Sequence, residues 1–261
     1  MIVVKFGGHA MRDENGDFAK KIAQALKSGT SLVIVHGGGP QINAALLEEE
    51  IESEFIGGFR VTTPEIFEVV ENVLVNQVGP AIAVALQKEG INAVSLSGRT
   101  SESLIAEPLR KLVDGSAVDL GLVGVITAVN PVAIRNALKG GQVPVISPIA
   151  TDENFKGGLN VNADLAAAAI AGALDAEVLI VMTDVSGIYR SWPDKTSLIE
   201  SISFSELELM KSTFEEGMAP KVQACLDAIT GGANSVRIID GTDPLAFAAA
   251  LANNGGTLVH K

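Results

Sequence analysis

Two stretches decide the fold: Ile2-Val3-Val4-Lys5-Phe6-Gly7-Gly8 and Leu32-Val33-Ile34-Val35-His36-Gly37-Gly38-Gly39-Pro40. Each is a short apolar run that ends in a glycine turn. An unbroken run rich in β-branched residues reads as a strand buried on both faces, as in a parallel sheet. Glycines directly after such a strand let backbone N–H groups close around an anion. A helix that follows adds its positive N-terminal end. Two such turns, one beside a lysine, point to phosphate or carboxylate chemistry.

Working outward, strand and helix patterns alternate along the chain. Helices are expected over 17–28, from Pro40 to Glu50, from Thr63-Pro64 to about Lys88, from Asn130-Pro131 onward, and over 162–174, 205–211, 217–229 and 244–252. Proline in the first turn, as at Pro40 and Pro64, sits where its missing N–H costs nothing. Further strands are expected over 93–96, 143–147, 177–182, 235–239 and 257–259. Residues 103–127 read as β-hairpins joined at Asp114-Gly115. Such alternation argues for a mostly parallel sheet covered by helices on both faces, with function at the carboxyl ends of the strands. The expected division is an N-terminal lobe of residues 1–177 and a C-terminal lobe of residues 178–261.

The bulk composition narrows the partners. The chain has 261 residues, of which 47% are apolar and 19% charged, with a formal net charge of −12. That balance is globular and argues against a nucleic-acid or anionic-membrane partner. The longest apolar run, Leu165 to Leu174, is too short to cross a bilayer. A single cysteine, Cys225, excludes an internal disulfide and fits a reducing, cytoplasmic setting; it reads as a small buried hydrophobe. The chain enters a strand at Ile2 in place of a basic leader, in keeping with that location.

Several common motifs are absent. No G-x-x-x-x-G-K-[ST] occurs, and Ile42 stands where the third glycine of G-x-G-x-x-G would be. No Cys/His cluster has metal-ligand spacing, so no metal-ligand set is expected. What remains is a constellation: Lys5 at a strand end, Gly57-Gly58-Phe59-Arg60-Val61-Thr62, Asn160-Val161-Asn162-Ala163-Asp164 before an alanine-rich helix, Thr183-Asp184-Val185-Ser186-Gly187-Ile188-Tyr189, and Gly217-Met218-Ala219-Pro220-Lys221. Each has a bland alternative. Lys5 could be an exposed strand-end lysine, Asp164 a helix cap, and Arg60 a solvated loop residue. His36 reads as a residue that orders its turn by hydrogen bonding, and Trp192-Pro193-Asp194-Lys195 as an exposed loop with an anchoring aromatic. The acidic runs Glu48–Glu50 and Glu206–Glu208 read as solvated helix faces.

In number, order and spacing these segments, with the closing Gly256-Thr257-Leu258, resemble the amino acid kinase family over essentially the whole chain. The branch they are most similar to acts on N-acetyl-L-glutamate. The resemblance implies a three-layer α/β/α sandwich, with the acyl amino acid on the N-terminal lobe and ATP on the C-terminal lobe. It implies transfer of the γ-phosphoryl group of ATP, with Mg²⁺, to the side-chain carboxylate of N-acetyl-L-glutamate in arginine biosynthesis. Lys5 and Lys221 would stabilise the transferring group, Asp164 would orient both, and the N–H groups of Gly8 and Gly38 would face it. Arg60 would pair with the substrate α-carboxylate, with Gly38, Gly39, Asn160 and Asn162 seating the rest. Asp184, Val185, Ser186, Gly187, Ile188 and Tyr189, with Thr213, Phe214 and Glu215, would touch the nucleotide. The family's arginine-inhibited members carry an additional N-terminal helix, so a homodimer insensitive to arginine is expected. His9 and Arg99-Thr100-Ser101-Glu102 depart from the family pattern.

The chemistry suits these residue types. A carboxylate is already ionised at pH 7, so no general base is required. The obstacle is an anion approaching a polyanion, which cations and N–H donors relieve. The competing readings are a kinase for an aminoadipate or glutamate group on an acidic carrier protein, a kinase for aspartate, glutamate, carbamate or UMP, and a non-catalytic sensor of ATP or an amino acid. A carrier-protein kinase should show a basic docking surface, which a charge of −12 does not favour. A sensor has no need of Lys5, Asp164 and Lys221 together.

Overall fold

The computed structural model describes residues 1–7, 17–27, 29–112, 115–154, 157–214 and 218–261. In chain order the elements are β1 (Ile2–Phe6), α1 (Asp17–Lys27), β2 (Leu32–His36), α2 (Gly39–Glu48), β3 (Phe55–Ile56), β4 (Phe59–Arg60), α3 (Pro64–Glu71) and α4 (Gly79–Lys88). Then come β5 (Ala93–Ser97), β6 (Leu104–Pro108), β7 (Val123–Val129), α5 (Val132–Lys139), β8 (Val143–Ser147), β9 (Ile149–Asp152), β10 (Gly158–Val161) and α6 (Ala163–Ala173). The chain closes with β11 (Val178–Thr183), β12 (Ser201–Ser203), α7 (Phe204–Met210), α8 (Ala219–Gly231), β13 (Ser235–Asp240), α9 (Pro244–Leu251) and β14 (Thr257–His260).

The central sheet has the order β12-β14-β13-β11-β1-β2-β8-β5. All its neighbours pair in parallel except β13 with β14. Alternate side chains along a strand face opposite layers, and the core divides accordingly. Val3, Val33, Val35, Leu179 and Val181 pack on one side with α6 and α8. Ile2, Val4, Phe6, Ile34 and Ile180 pack on the other with α1, α3, α4 and α9. This is the α/β/α layering, and it has a chemical consequence. Lys5 shares its face with Val3, so its side chain points at α6 and α8.

The helix expected from Pro64 to Lys88 is continuous but not uniform. Thr63 caps it, its side chain accepting from the Ile66 N–H at 3.2 Å. Asn72–Val78 is π-helical. Pro80 lies just beyond; it has no N–H to donate and would clash with the carbonyl four residues back, and the wider turn relieves that clash. By length and composition this helix could cross a membrane. Its Ile66, Phe67, Val70, Val73, Leu74 and Leu86 are buried against the sheet, which makes it a core helix.

The region expected to form hairpins is more closed than that. β6 and β7 pair antiparallel, and β9 and β10 join them to close a small barrel. Asp114, the expected hairpin tip, lies outside the described residues. The sequence reading did not foresee β3, β4, β9, β10 or β12. Trp192 does not anchor its loop: it is 62% exposed and meets Tyr189 edge-on. Cys225 is buried, as expected, and burial pushes its thiol up out of the reactive range. Glu48, Glu49, Glu50, Glu206 and Glu208 are exposed, and Glu206 also completes a capping box with Ser203.

Candidate active site

The carboxyl ends of β1 and β2 meet the N-termini of α2 and α6. A Cβ placed on Gly37 would lie 3.8 Å from Ala163 Cβ and 3.9 Å from Gly7 Cα, so the second glycine turn lies between the first turn and the first residue of α6. Gly38 precedes α2 as its N-cap residue. What requires glycine there is space, since a Cβ would come within 2.5 Å of Leu74 Cδ2. Gly39 opens α2 with nothing within 4 Å of its Cβ position. The N-termini of α2 and α6 therefore point their partial positive charge at one place. Gly8 lies outside the described residues.

Lys5 Nζ stands 2.9 Å from Asp164 Oδ1, and Lys221 Nζ stands 2.8 Å from Asp164 Oδ2. Lys5 also donates to the Met182 carbonyl at 3.4 Å. The sheet register and the packing of α6 on α8 produce this meeting. Those helices approach so closely that a Cβ on Gly172 would sit 2.9 Å from the Gly231 backbone. Small residues near their C-terminal ends thus let the first turns bring Asp164 and Lys221 together. Asp164 does not cap its helix. Asn162 does, accepting from the N–H groups of Asp164 at 2.8 Å and Leu165 at 3.3 Å.

Burial alone would raise the Asp164 carboxyl, yet the two ammonium groups hold it well below the usual carboxylate range. Burial alone would lower Lys221, yet Asp164 holds it above its ordinary value, and the charge of Asp184 adds to this. One carboxylate with two ammonium groups leaves one net positive charge. An ammonium has three N–H donors, so both lysines keep capacity for a further acceptor. His36 is wholly buried, with Nε2 3.0 Å from Ser147 Oγ and Nδ1 2.9 Å from the Gly37 carbonyl. Burial lowers it to about 4, although the Gly37 carbonyl opposes the shift. It stays neutral and orders the turn, as the sequence suggested.

A second cluster stands over α2. Arg60 on β4 is buried, donates to Asn43 Oδ1 at 2.6 Å and to Ser53 Oγ, and lies 4.5 Å above the Phe55 ring. Asn43 is one helical turn from Gly39. Burial lowers Arg60 somewhat. Among the described residues its hydrogen-bond partners are neutral and no carboxylate pairs with it. A desolvated guanidinium without a counter-charge is a ready site for a ligand carboxylate. Asn160 on β10 donates through Nδ2 to Thr62 Oγ1 at 3.1 Å, and that hydroxyl donates to the Arg60 carbonyl at 2.8 Å. Thr62 thereby ties Arg60 to Asn160. Asn43 and Ser53 were not singled out by the sequence, and Thr62 was read only as the end of the Gly57–Thr62 segment.

Residues 184–189 follow β11 and leave the sheet at the same edge as Gly7. Asp184 and Ser186 are exposed, Val185 and Tyr189 half-buried, and Gly187 and Ile188 buried. Thr213 is exposed with its hydroxyl on the Met210 carbonyl at 2.7 Å, while Phe214 packs on the core beside α6 and α8. Glu215 lies outside the described residues. The structure thus brings Lys5, Asp164, Lys221 and the Gly37-Gly38-Gly39 turn together. It joins Arg60 and Asn160 through Thr62, and it gives Asn162 to helix capping.

The chain is similar to the acetylglutamate kinase of Beutenbergia cavernae, at 47% identity over 250 residues, 95% of this chain and 80% of that relative. It is similar to the acetylglutamate kinase of Leifsonia xyli subsp. xyli, at 48% identity over 244 residues, 92% of this chain and 81% of the relative. Among solved structures, the smu.665 protein of Streptococcus mutans superposes with a TM-score of 0.81 at 30% identity, covering 99% of this chain and 98% of that one. The match to the Amino acid kinase family spans residues 1–240 and includes both glycine turns, the buried aspartate and its two lysines; the chain belongs to that family.

Proposed function

We propose that this protein transfers the γ-phosphoryl group of ATP to the side-chain carboxylate of N-acetyl-L-glutamate, giving an acyl phosphate for arginine biosynthesis. The observation that carries the reading is the pair of lysines on one buried aspartate at the glycine turns. That site offers net positive charge and free N–H donors where a phosphoryl group in transfer spreads negative charge. No proton has to be removed from the attacking carboxylate. The relatives at 47% and 48% identity are named acetylglutamate kinases.

Within this reading Lys5 and Lys221 neutralise the transferring group, and Asp164 keeps both ammonium groups aimed at it. The N–H groups of Gly8 and Gly38 would face the same group. Arg60, unpaired with any carboxylate among the described residues, takes the substrate α-carboxylate. Gly39, Asn160 and Asn162 complete that side, and residues 184–189 with Thr213, Phe214 and Glu215 line the nucleotide side. Residues 1–177 then serve the acyl amino acid and 178–261 the nucleotide. Mg²⁺ would enter on the phosphate oxygens of ATP and neutralise charge there. Asp164 is engaged by its two lysines and is not offered to the metal. We also propose a cytoplasmic homodimer, and light scattering on the purified protein checks the dimer. ADP release measured with N-acetyl-L-glutamate, free glutamate, aspartate and carbamate tests the function. Turnover is expected with N-acetyl-L-glutamate alone, and turnover only with another acceptor overturns the substrate assignment.

A further inference from the structure

The closing Gly256-Thr257-Leu258 has no place in the chemistry above, yet Thr257 is fully buried at the start of β14. Its Oγ1 accepts from the Ile188 N–H at 2.8 Å and donates to the Ile199 carbonyl at 2.6 Å. A threonine hydroxyl has one proton and accepting lone pairs, so both directions of this group are fixed. Ile199 in turn donates its N–H to the Ile188 carbonyl at 2.8 Å. One side chain therefore sits between two backbones: the loop after β11 and the segment leading into β12.

Two glycines make this approach possible. A Cβ on Gly187 would overlap Thr257 Oγ1 and lie 3.0 Å from the Thr257 nitrogen, so only glycine lets the loop come this close. Gly256 has φ +64°, in the left-handed region, and a Cβ there would overlap the Ile238 carbonyl. Behind the turn, buried Arg237 donates to the Gly255 carbonyl and, at 2.8 Å, to Asn253 Oδ1. The turn that delivers Thr257 is thus braced from the sheet.

We propose that Thr257 is the positioning residue of the nucleotide loop, its hydroxyl setting the backbone of Gly187 and Ile188 in the arrangement that receives ATP. This rests on the reading of residues 184–189 as the nucleotide side of the site. The loop has no regular structure of its own between β11 and the Tyr189–Leu198 bridge. Without the hydroxyl the Ile188 N–H is buried with no partner and must turn away to find one.

The test uses the full chain and four variants: Thr257→Val, Thr257→Ser, Gly187→Ala and Ser186→Trp. Thr257→Val, close to isosteric, is expected to raise the KM for ATP about tenfold, as for one lost hydrogen bond of this kind. The KM for N-acetyl-L-glutamate should stay within about twofold, and Thr257→Ser should restore the KM for ATP. Where Thr257→Val fails to fold, Gly187→Ala keeps the hydroxyl and pushes the loop off it, and the same split in KM is expected. Equal changes in both KM values, or none, overturn the proposal and leave Thr257 a packing residue. Ser186→Trp separates the two layers, because Ser186 is exposed on the loop. If it blocks binding of a fluorescent ADP analogue while Thr257→Val is silent, only the threonine proposal falls. If it leaves that binding intact, the nucleotide-loop reading falls, and the threonine proposal falls with it.

Discussion

Lys221 Nζ lies 2.8 Å from Asp164 Oδ2 across the first turns of two helices that are 57 residues apart in sequence. The other oxygen of the same carboxylate faces Lys5 at 2.9 Å. The two lysines are therefore held in one unit before any substrate arrives. Removing either should cost transition-state stabilisation more than nucleotide affinity. Lys5→Ala and Lys221→Ala are each expected to lower kcat by about 10²–10³, or roughly 2.7–4 kcal/mol of barrier. The KM for ATP should change far less. Steady-state kinetics with near-normal kcat in either variant would contradict the assignment.

Asp164→Asn should act on the fold as well as on turnover. It leaves two largely buried ammonium groups without their counter-charge, a loss of about 3–5 kcal/mol in comparable buried pairs. Urea unfolding of the variant measures this. The pH dependence has a defined sign. The folded carboxyl lies below its ordinary value near 3.8, so its contribution is present above that value and is lost as the pH falls below it. Wild type should show this acid loss, and Asp164→Asn should not.

His36 makes a separate pH window. Its ring titrates at 6.5 ordinarily and at about 4 when buried in the fold, so the unfolded chain binds the proton first. Stability is full above 6.5 and declines as the pH falls from there toward 4, by about 3 kcal/mol in all. Denaturant unfolding at pH 7, 5.5 and 4.5 reads the slope. His36→Asn does not titrate and should lose that slope even if it is less stable throughout. An unchanged slope would assign the window to other groups.

Thr62 joins the two residues of the acyl side, accepting from Asn160 and donating to the Arg60 carbonyl. Thr62→Val should raise the KM for N-acetyl-L-glutamate several-fold and leave the KM for ATP within about twofold. Thr62→Ser should restore most of the affinity. A rise in both KM values together would mean that Thr62 supports the fold and not the acyl site.

The parallel sheet was legible because strands buried on both faces carry long apolar runs, as Ile2–Val4 and Leu32–Val35 do before Lys5 and His36. Helix starts were legible where a cap and a proline coincide, as at Thr63-Pro64. The link from Lys5 to Asp164 and Lys221 was not local. Only the family resemblance joined those residues, and the alternating register of β1 with the close packing of α6 on α8 supplies the physical cause. Asn43 and Ser53 carried no signal, since single polar residues on a helix or in a loop look solvated until a buried guanidinium is placed beside them, and Thr62, though it closed the Gly57–Thr62 segment, had no role assigned to it. β9 and β10 were missed because each is only four residues long and lies beside glycine and polar residues that read as loop.

Incubation with ATP, Mg²⁺ and hydroxylamine tests the central claim most directly, because hydroxylamine converts an acyl phosphate to a stable hydroxamate. The expected result is hydroxamate from N-acetyl-L-glutamate with the wild-type protein, little or none from free glutamate, aspartate or N-acetyl-aminoadipate, and almost none with Lys5→Ala or Lys221→Ala. ATP binding without hydroxamate from any of these acceptors would contradict carboxylate phosphorylation at this site.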